Sequence, residues 1–213
     1  MHLRAADYEV RVIPGQGEPW GKARAFIAEH HYSRGCSRTA VYVHGLYRRG
    51  SHDLLGVAMW LPPTKTAAKS VCELDWKRVL SLSRLVVRPD VPTNGASFLM
   101  ARSIRLIRQD GRFPTLVTWA DSYMGHSGAI YRAANWRFVG RGNGTPRWED
   151  ANGRQVSNRS TTSKTHAQMT AKGYRLVGRF PKLKFVMTLR QQRPALRPPI
   201  VTNDPLLMIA LAA

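Results

Sequence analysis

Acidic side chains are scarce in this chain. Its 213 residues include 13 Asp and Glu against 33 Lys and Arg, which leaves a formal charge of +20 and a sequence pI near 11.1. An excess this large on a small protein is typical of a polyanion partner, most often nucleic acid. The alternative is a charge that serves solubility or follows from an arginine-rich genome. Composition therefore favours nucleic acid as the partner.

Cysteines and long apolar runs are scarce as well. Cys36 and Cys72 are too few for a disulfide framework and do not form a C-x-x-C pair. No run approaches the roughly 18 apolar residues of a membrane span, and residues 1–15 lack the apolar core of a signal peptide. We therefore expect a cytoplasmic protein with no membrane partner. The hydrophobic content of 43% is ordinary for a globular protein, so disorder throughout is excluded.

The segment from Ser83 to Gly140 carries the clearest pattern. Leu85, Val86 and Val87 predict a buried strand that ends at the prolines of residues 89–92. The small residues 93–97 follow, and then a helix places Met100, Ile104 and Ile107 on one face and Arg102, Arg105 and Arg108 on another. A helix N-terminus attracts phosphate, so residues 94–98 can hold a pyrophosphate. The alternative is an ordinary strand-to-helix turn.

The second half of this segment adds a titratable group. Residues 116–121 predict a strand that ends at Asp121, and residues 125–135 predict a short helix that carries Tyr131, with Ser127 as its cap. A phenol at this position can protonate a departing thiolate as a general acid. The alternative is a core aromatic side chain with a hydrogen-bonded hydroxyl.

The rest of the chain predicts further strands and two less regular segments. Strands are predicted for residues 8–12, 40–47, 54–61 and 184–189, and a helix opens at Pro19. In the first strand, Tyr8, Val10 and Val12 form the buried side of an alternating pattern. Residues 141–165 are polar, basic and glycine-rich, and we expect them to be a mobile insertion that contacts phosphates. Residues 191–213 are expected to be a C-terminal tail.

Three motifs resemble the Mom family of phage DNA-modification proteins, which are related to GNAT acyltransferases. They are L-S-R-L-x-V from Leu82, the N-G-A-S loop from Asn94, and A-D-x-x-x-G-H-S-G-x-I-Y-R-A-x-N-W from Ala120. The resemblance covers about residues 20–190 and is most specific from Ser83 to Gly140. It implies an α/β fold with a GNAT-like mixed, mostly antiparallel central sheet flanked by helices. The predicted domain spans residues 1–190.

The resemblance also implies an activity and a set of residues. Mom proteins convert adenine N6 in duplex DNA to N6-carbamoylmethyladenine, which protects phage DNA from host restriction. The matching catalytic set is Arg84, Ser97, Asp121 and Tyr131. GNAT relatives imply acetyl-CoA or a related acyl donor, held by the residues that end the strand and open the helix: Val86, Val87, Asn94, Gly95, Ala96 and Ser97.

The acceptor and a metal are expected near the first helix. His31, Tyr32 and Arg34 follow this helix and can bind a base, while Arg147 and Trp148 lie in the insertion. Trp148 either stacks on an extruded base or fixes the insertion to the core. The chain has the residue types of a two-His-one-carboxylate iron site. The histidines are His30, His31, His44, His52 and His126, and the carboxylate is Asp53 or Asp121. Their spacing is not diagnostic, and we expect an unliganded polar site.

Two other functions are compatible with the same residues. One is a GNAT N-acetyltransferase that uses acetyl-CoA on a small amine or an aminoacyl-tRNA. The other is a non-enzymatic basic protein that binds double-stranded DNA on a GNAT scaffold. Simple acetyl transfer joins N6 to a carbonyl carbon, whereas the carbamoylmethyl group is joined through its methylene. That bond requires either metal-assisted attack on a methyl carbon or a glycine-derived donor. Either a monomer or a homodimer is compatible with the sequence.

Overall fold

The structure is a computed structural model that describes residues 2–156 and 165–189. Its helices are α1 (Gly17–His30), α2 (Lys65–Lys69), α3 (Gly95–Asp110), α4 (Ala129–Ala133) and α5 (His166–Ala171). Its strands are β1 (Tyr8–Val12), β2 (Tyr42–Arg48), β3 (Leu54–Leu61), β4 (Val79–Val87), β5 (Thr115–Asp121), β6 (Arg137–Arg141), β7 (Thr145–Glu149), β8 (Gln155–Val156), β9 (Arg175–Phe180) and β10 (Lys182–Thr188). Of the described helices, none is long and apolar enough to cross a membrane.

Seven strands form the central sheet in the order β1-β2-β3-β4-β5-β10-β6. Every neighbouring pair is antiparallel except β4 and β5, which are parallel. Helices α3 and α1 pack on opposite faces of this sheet, and each buries one apolar side against it. On α3 the buried side includes Leu99, Met100 and Ile107, and on α1 it includes Ala23 and Ile27. The predicted fold class is confirmed.

The parallel strands β4 and β5 separate partway along their length. Their pairing covers only residues 79–81 of β4 and 115–117 of β5. At the next position the Thr118 hydroxyl donates to the carbonyl oxygen of Leu82 at 3.1 Å, in place of a backbone bond. Beyond this point the strands diverge. A fork therefore opens at their C-terminal ends, beside the start of α3.

The segment predicted as a mobile insertion differs from that expectation. Strand β7 pairs with β8 and β9 in a second, three-stranded sheet, so residues 145–156 have regular structure. Trp148 is only 2% exposed, and its ring lies 4.9 Å from that of His166. It is therefore part of a small core and does not present a face to a base. Residues 157–164 and the predicted tail at 191–213 lie outside the described residues.

Two local expectations are corrected. Helix α4 spans only Ala129–Ala133, and its N-cap is Gly128 in the left-handed region at φ 78°, without a side-chain cap from Ser127. Gly128 begins the helix one residue later than Ser127 would, because glycine adopts a positive φ at little cost. In β1, Val12 is 61% exposed although the alternating pattern grouped it with the buried Tyr8. Ile13, the next residue, is buried in its place.

Candidate functional site

A cleft of about 600 Å³ occupies the fork, and we call it the fork cleft. One wall is the end of β4 and the start of α3, with Val86, Val87 and Ala96. The other wall is the segment 124–131, which connects β5 to α4 and includes Tyr131. His31 and Tyr32 also line it. The structure thus places three predicted donor-binding residues and one predicted catalytic residue around the same cleft.

The side chains at the start of α3 bond to the protein backbone and are not available to a ligand. The Asn94 amide exchanges hydrogen bonds with the backbone of Leu3, accepting from its N–H at 2.5 Å and donating to its carbonyl at 3.3 Å. A Cβ at Gly95 would collide with Val91, and the Ser97 hydroxyl donates to the carbonyl of Asn94 at 2.8 Å. Since first-turn N–H groups lack partners within a helix, the backbone of this turn can receive an anion.

Tyr131 has the position of a core aromatic residue and also that of a general acid, the two roles that the sequence left open. Its ring packs in the core, 5.3 Å from the ring of Phe185 and 5.9 Å from that of Trp136. Tyr131 and Thr118 line a small cavity at the point where the fork opens. Burial raises the pKa of Tyr131, and Thr118 opposes that shift. The phenol therefore keeps its proton at neutral pH and can donate it inside the cleft.

His31 and Tyr32 form an aromatic stack at the mouth of the fork. The rings of His31 and Tyr32 are 4.3 Å apart, and the His126 ring meets Tyr32 edge-on at 5.5 Å. The backbone N–H of Ser33 donates to Nδ1 of His31 at 3.1 Å, which assigns the proton of the neutral ring to Nε2. Burial lowers the pKa of His31 to about 4, with Arg84 and His126 adding to the shift. His31 is therefore neutral at physiological pH.

Arg84 holds the loop after α1 against the sheet. Its Nε donates to the carbonyl oxygen of Gly35 at 2.8 Å, and its Nη1 donates to that of Ser83 at 2.7 Å. These bonds give Arg84 a positioning role for the loop that carries Tyr32. The ion pair that the structure gives Asp121, the other charged member of the predicted catalytic set, is with Arg147.

Asp121 lies at the end of β5, where it is 3% exposed. One carboxylate oxygen binds Nη2 of Arg147, and the other accepts the backbone N–H of Tyr123 at 3.2 Å. Arg147 comes from β7 and also lies over the Tyr123 ring at 5.1 Å. The second sheet therefore contributes directly to the environment of a predicted catalytic residue. No local sequence pattern indicated this contact.

A second cavity, of about 790 Å³, lies beside the fork cleft. We call it the arginine cavity, and the described residues that line it are Tyr32, Ser33, Arg34, Arg147, Arg154 and Gln155. Tyr32 lines both cavities, so they share a wall. The sequence indicated Tyr32, Arg34 and Arg147 as substrate contacts and placed Arg154 in the segment expected to contact phosphates, whereas nothing in it singled out Gln155.

The histidines considered for a metal site are dispersed. His31 and His126 both contact Tyr32, but the Nδ1 of His44 is buried against the Ser103 hydroxyl at 2.5 Å. Asp53 pairs with Arg88 instead. In residues 2–156 and 165–189, no three His, Cys, Asp or Glu side chains gather in a way that suits a metal ion.

The fold defines the class of protein. Two solved structures with the same fold are the ribosomal-protein-S18-alanine N-acetyltransferase from Escherichia coli and the IAA acetyltransferase from Bacillus cereus. Both align with a TM-score of 0.51, at 11% and 10% identity, over 89% and 85% of this chain and 98% and 99% of theirs. At such identities the likeness establishes the GNAT acyltransferase fold alone.

The particular family follows from sequence comparison. The model of the Mom protein family matches residues 8–192, so this chain belongs to the Mom family. One relative is the methylcarbamoylase mom of Escherichia phage Mu, which is 32% identical over 126 residues. That alignment covers 55% of this chain and 49% of the relative, so it spans about half of the relative's length.

Proposed function

We propose that this protein is a phage DNA-modification transferase that adds a carbamoylmethyl group to adenine N6 in duplex DNA. Membership of the Mom family supports the proposal, and so does the name of the phage Mu relative, a methylcarbamoylase. The charge of +20 supports a nucleic acid as the acceptor. Protection of the phage genome from restriction enzymes is the expected consequence, because such a group projects from the base edge that those enzymes read.

The observation that carries the proposal is that two cavities meet at one wall. The fork cleft ends at a helix N-terminus, which suits a phosphate-bearing donor, and the arginine cavity suits an anionic acceptor. Tyr32 lines both, and burial raises the pKa of its phenol, with smaller contributions in the same direction from Asp121 and Tyr131. A transferase needs two reactants to approach each other from separate entrances, and this arrangement provides them.

On the donor side, we propose an acyl-CoA or a related acyl donor. Its pyrophosphate would lie on the backbone N–H groups of Ala96 and Ser97, and its reactive carbon would enter the fork near Tyr131. Tyr131 would supply the proton that a thiolate leaving group takes up, and the acceptor amine would lose one proton as its bond to the donor carbon forms. A carbamoylmethyl product requires attack at a methylene carbon, so its donor differs from acetyl-CoA at the reacting atom.

Nucleoside mass spectrometry tests the proposed function directly. DNA from cells that express the protein is digested to nucleosides, with DNA from cells that carry an empty vector as the control. We expect some deoxyadenosine to gain the elements C2H3NO, whereas acetylation would add C2H2O. Unmodified deoxyadenosine from cells that contain soluble, folded protein would contradict the proposal. Unmodified DNA together with an acetylated small amine or aminoacyl-tRNA would support the acetyltransferase function that the GNAT fold also allows.

A further inference from the structure

The arginine cavity has the size and placement of a ligand site. Its volume of about 790 Å³ lies within the range of about 300–1,000 Å³ that is typical of small-molecule sites. One side is the loop after α1, with Tyr32 and Arg34, and the other is the edge of the second sheet, with Arg154 and Gln155. Arg147 connects the cavity to Asp121, so a ligand held here would lie next to the buried carboxylate.

Among the described residues, two of the three arginines that line the cavity have no carboxylate partner. Arg34 and Arg154 are exposed, and in the described part of the chain neither takes part in an ion pair. Arginines elsewhere do find carboxylates, as Arg88 does with Asp53 and Asp90. Within the cavity Arg147 is bound to Asp121, yet its buried Nε has no hydrogen-bond partner among residues 2–156 and 165–189. Guanidinium groups in this state favour an oxyanion that accepts two hydrogen bonds at once, such as a phosphate diester.

The loop that carries Arg34 is held in one conformation. Arg34 has φ 48°, a positive value that costs free energy for a residue other than glycine. Its backbone N–H donates to the carbonyl of His31 at 2.8 Å, and Arg84 fixes the adjacent Gly35. Such a conformation persists only where the surroundings impose it, and it clusters at sites that clamp ligands. The position of Arg34 at the cavity is therefore imposed by the fold.

Two uncharged side chains in the cavity suit a base. Tyr32 is 40% exposed and is supported from behind by the His31 ring, so it offers an ordered aromatic surface. Gln155, at the start of β8, carries an amide that both donates and accepts hydrogen bonds. An amide side chain matches adenine, whose edge presents N6–H beside the acceptor N7.

We propose that the arginine cavity is the acceptor subsite, which holds one adenine nucleotide extruded from the duplex. The base lies between Tyr32 and Gln155, and the flanking phosphates lie on Arg34 and Arg154. Extrusion is required because Asp121 is 3% exposed and a stacked base cannot reach it. The inference rests on the proposed function, which supplies adenine as the acceptor.

Affinity for duplexes with a weakened target pair tests the subsite. A protein that extrudes a base binds more tightly when that base lies opposite an abasic site, because the base pair no longer has to be broken. By fluorescence anisotropy we expect wild-type protein to bind an orphan adenine at least about tenfold more tightly than a paired adenine, and more tightly than an orphan thymine. Tyr32→Ala should reduce the first preference, and Gln155→Ala should reduce the second by about tenfold.

Matched variants separate the base from the backbone. Gln109→Ala, on the exposed side of α3, should leave both preferences unchanged. Arg154→Gln should weaken binding to every duplex alike and reduce the slope of log affinity against log salt by about 0.9. Arg105→Gln on α3 is the comparison for this charge. If Arg105→Gln changes the slope and Arg154→Gln does not, the phosphates bind elsewhere and the proposal is overturned.

Failure of the subsite and failure of the function give different results. If wild-type protein modifies cellular adenine but shows no preference for an orphan adenine, the subsite is refuted while the function stands. The same holds if Tyr32→Ala and Gln155→Ala both retain the wild-type preferences. If wild-type protein leaves DNA unmodified, the proposed function fails, and a retained preference would then identify a protein that binds extruded bases without modifying them.

Discussion

The ion pair between Asp121 and Arg147 gives a quantitative prediction. Asp121 is 3% exposed, and the Arg147 side chain is 15% exposed, so both charges are largely removed from water. Arg147→Met removes the cation and leaves the carboxylate with the Tyr123 N–H at 3.2 Å. Loss of one partner from a buried pair costs about 3–5 kcal/mol, because the remaining charge is uncompensated. We expect Arg147→Met to lower the free energy of unfolding by this amount.

Asp121→Asn is expected to stabilise the protein when Arg147 is already replaced by Met. Asp121→Asn keeps the shape of the side chain and removes its charge, so Asp121→Asn added to Arg147→Met should restore part of the lost stability. Urea denaturation followed by circular dichroism measures all three variants. Arg175→Met is the control, since Arg175 is 75% exposed and its bond to Glu149 should contribute less than about 1 kcal/mol. A double variant that is less stable than Arg147→Met alone would refute this reasoning.

Three further predictions concern single groups. Tyr131→Phe should lower DNA modification by about 10²-fold or more while it changes stability by only about 1 kcal/mol, and a folded variant with wild-type activity would return Tyr131 to a purely structural role. Gly128→Ala should destabilise the protein by about 1–3 kcal/mol more than Gly125→Ala does. Both glycines have positive φ, but only at Gly128 would the new Cβ overlap a core ring, that of Phe185. Equal shifts of the melting temperature would contradict this prediction. Wild-type stability should fall as pH decreases from about 6.5 to about 4, because burial lowers the pKa of His31 and His44 to about 4 and the unfolded chain then binds more protons. His44→Gln should flatten that fall, measured as urea midpoint against pH.

The donor side of the site could be predicted because its elements are adjacent in the chain. Strand β4, the loop at residues 93–97 and helix α3 follow one another, so local periodicity and turn residues indicate all three. What local pattern could not supply is the divergence of β4 and β5. It depends on a three-residue ladder and on the contact from Thr118 to Leu82, which join segments 36 positions apart.

Helix capping shows a similar limit at a smaller scale. Asn94 has the residue type of an N-cap and does occupy that position, yet its side chain makes no capping bond. Its amide instead ties the N-terminal segment to α3 through Leu3, 91 positions away. Local propensity thus located the residue correctly, while a long-range contact determined what its side chain does.

On the acceptor side the residues were found in part from the sequence but the second sheet was not, and the reason is physical. Residues 145–156 are mostly polar and include Pro146 and the Asn152–Gly153 pair, so a local pattern favours a loop. They become strands because β9 supplies a partner, and the pair Glu149–Arg175 joins positions 26 residues apart. The same pairing buries Trp148 and directs Arg147 toward Asp121, which separates two neighbouring residues that the sequence grouped as DNA contacts. Because a strand alternates its side chains between two faces, one of these neighbours had to enter a core and the other had to face the site. The partner strand decides which of the two residues enters the core, and the local sequence does not contain that information.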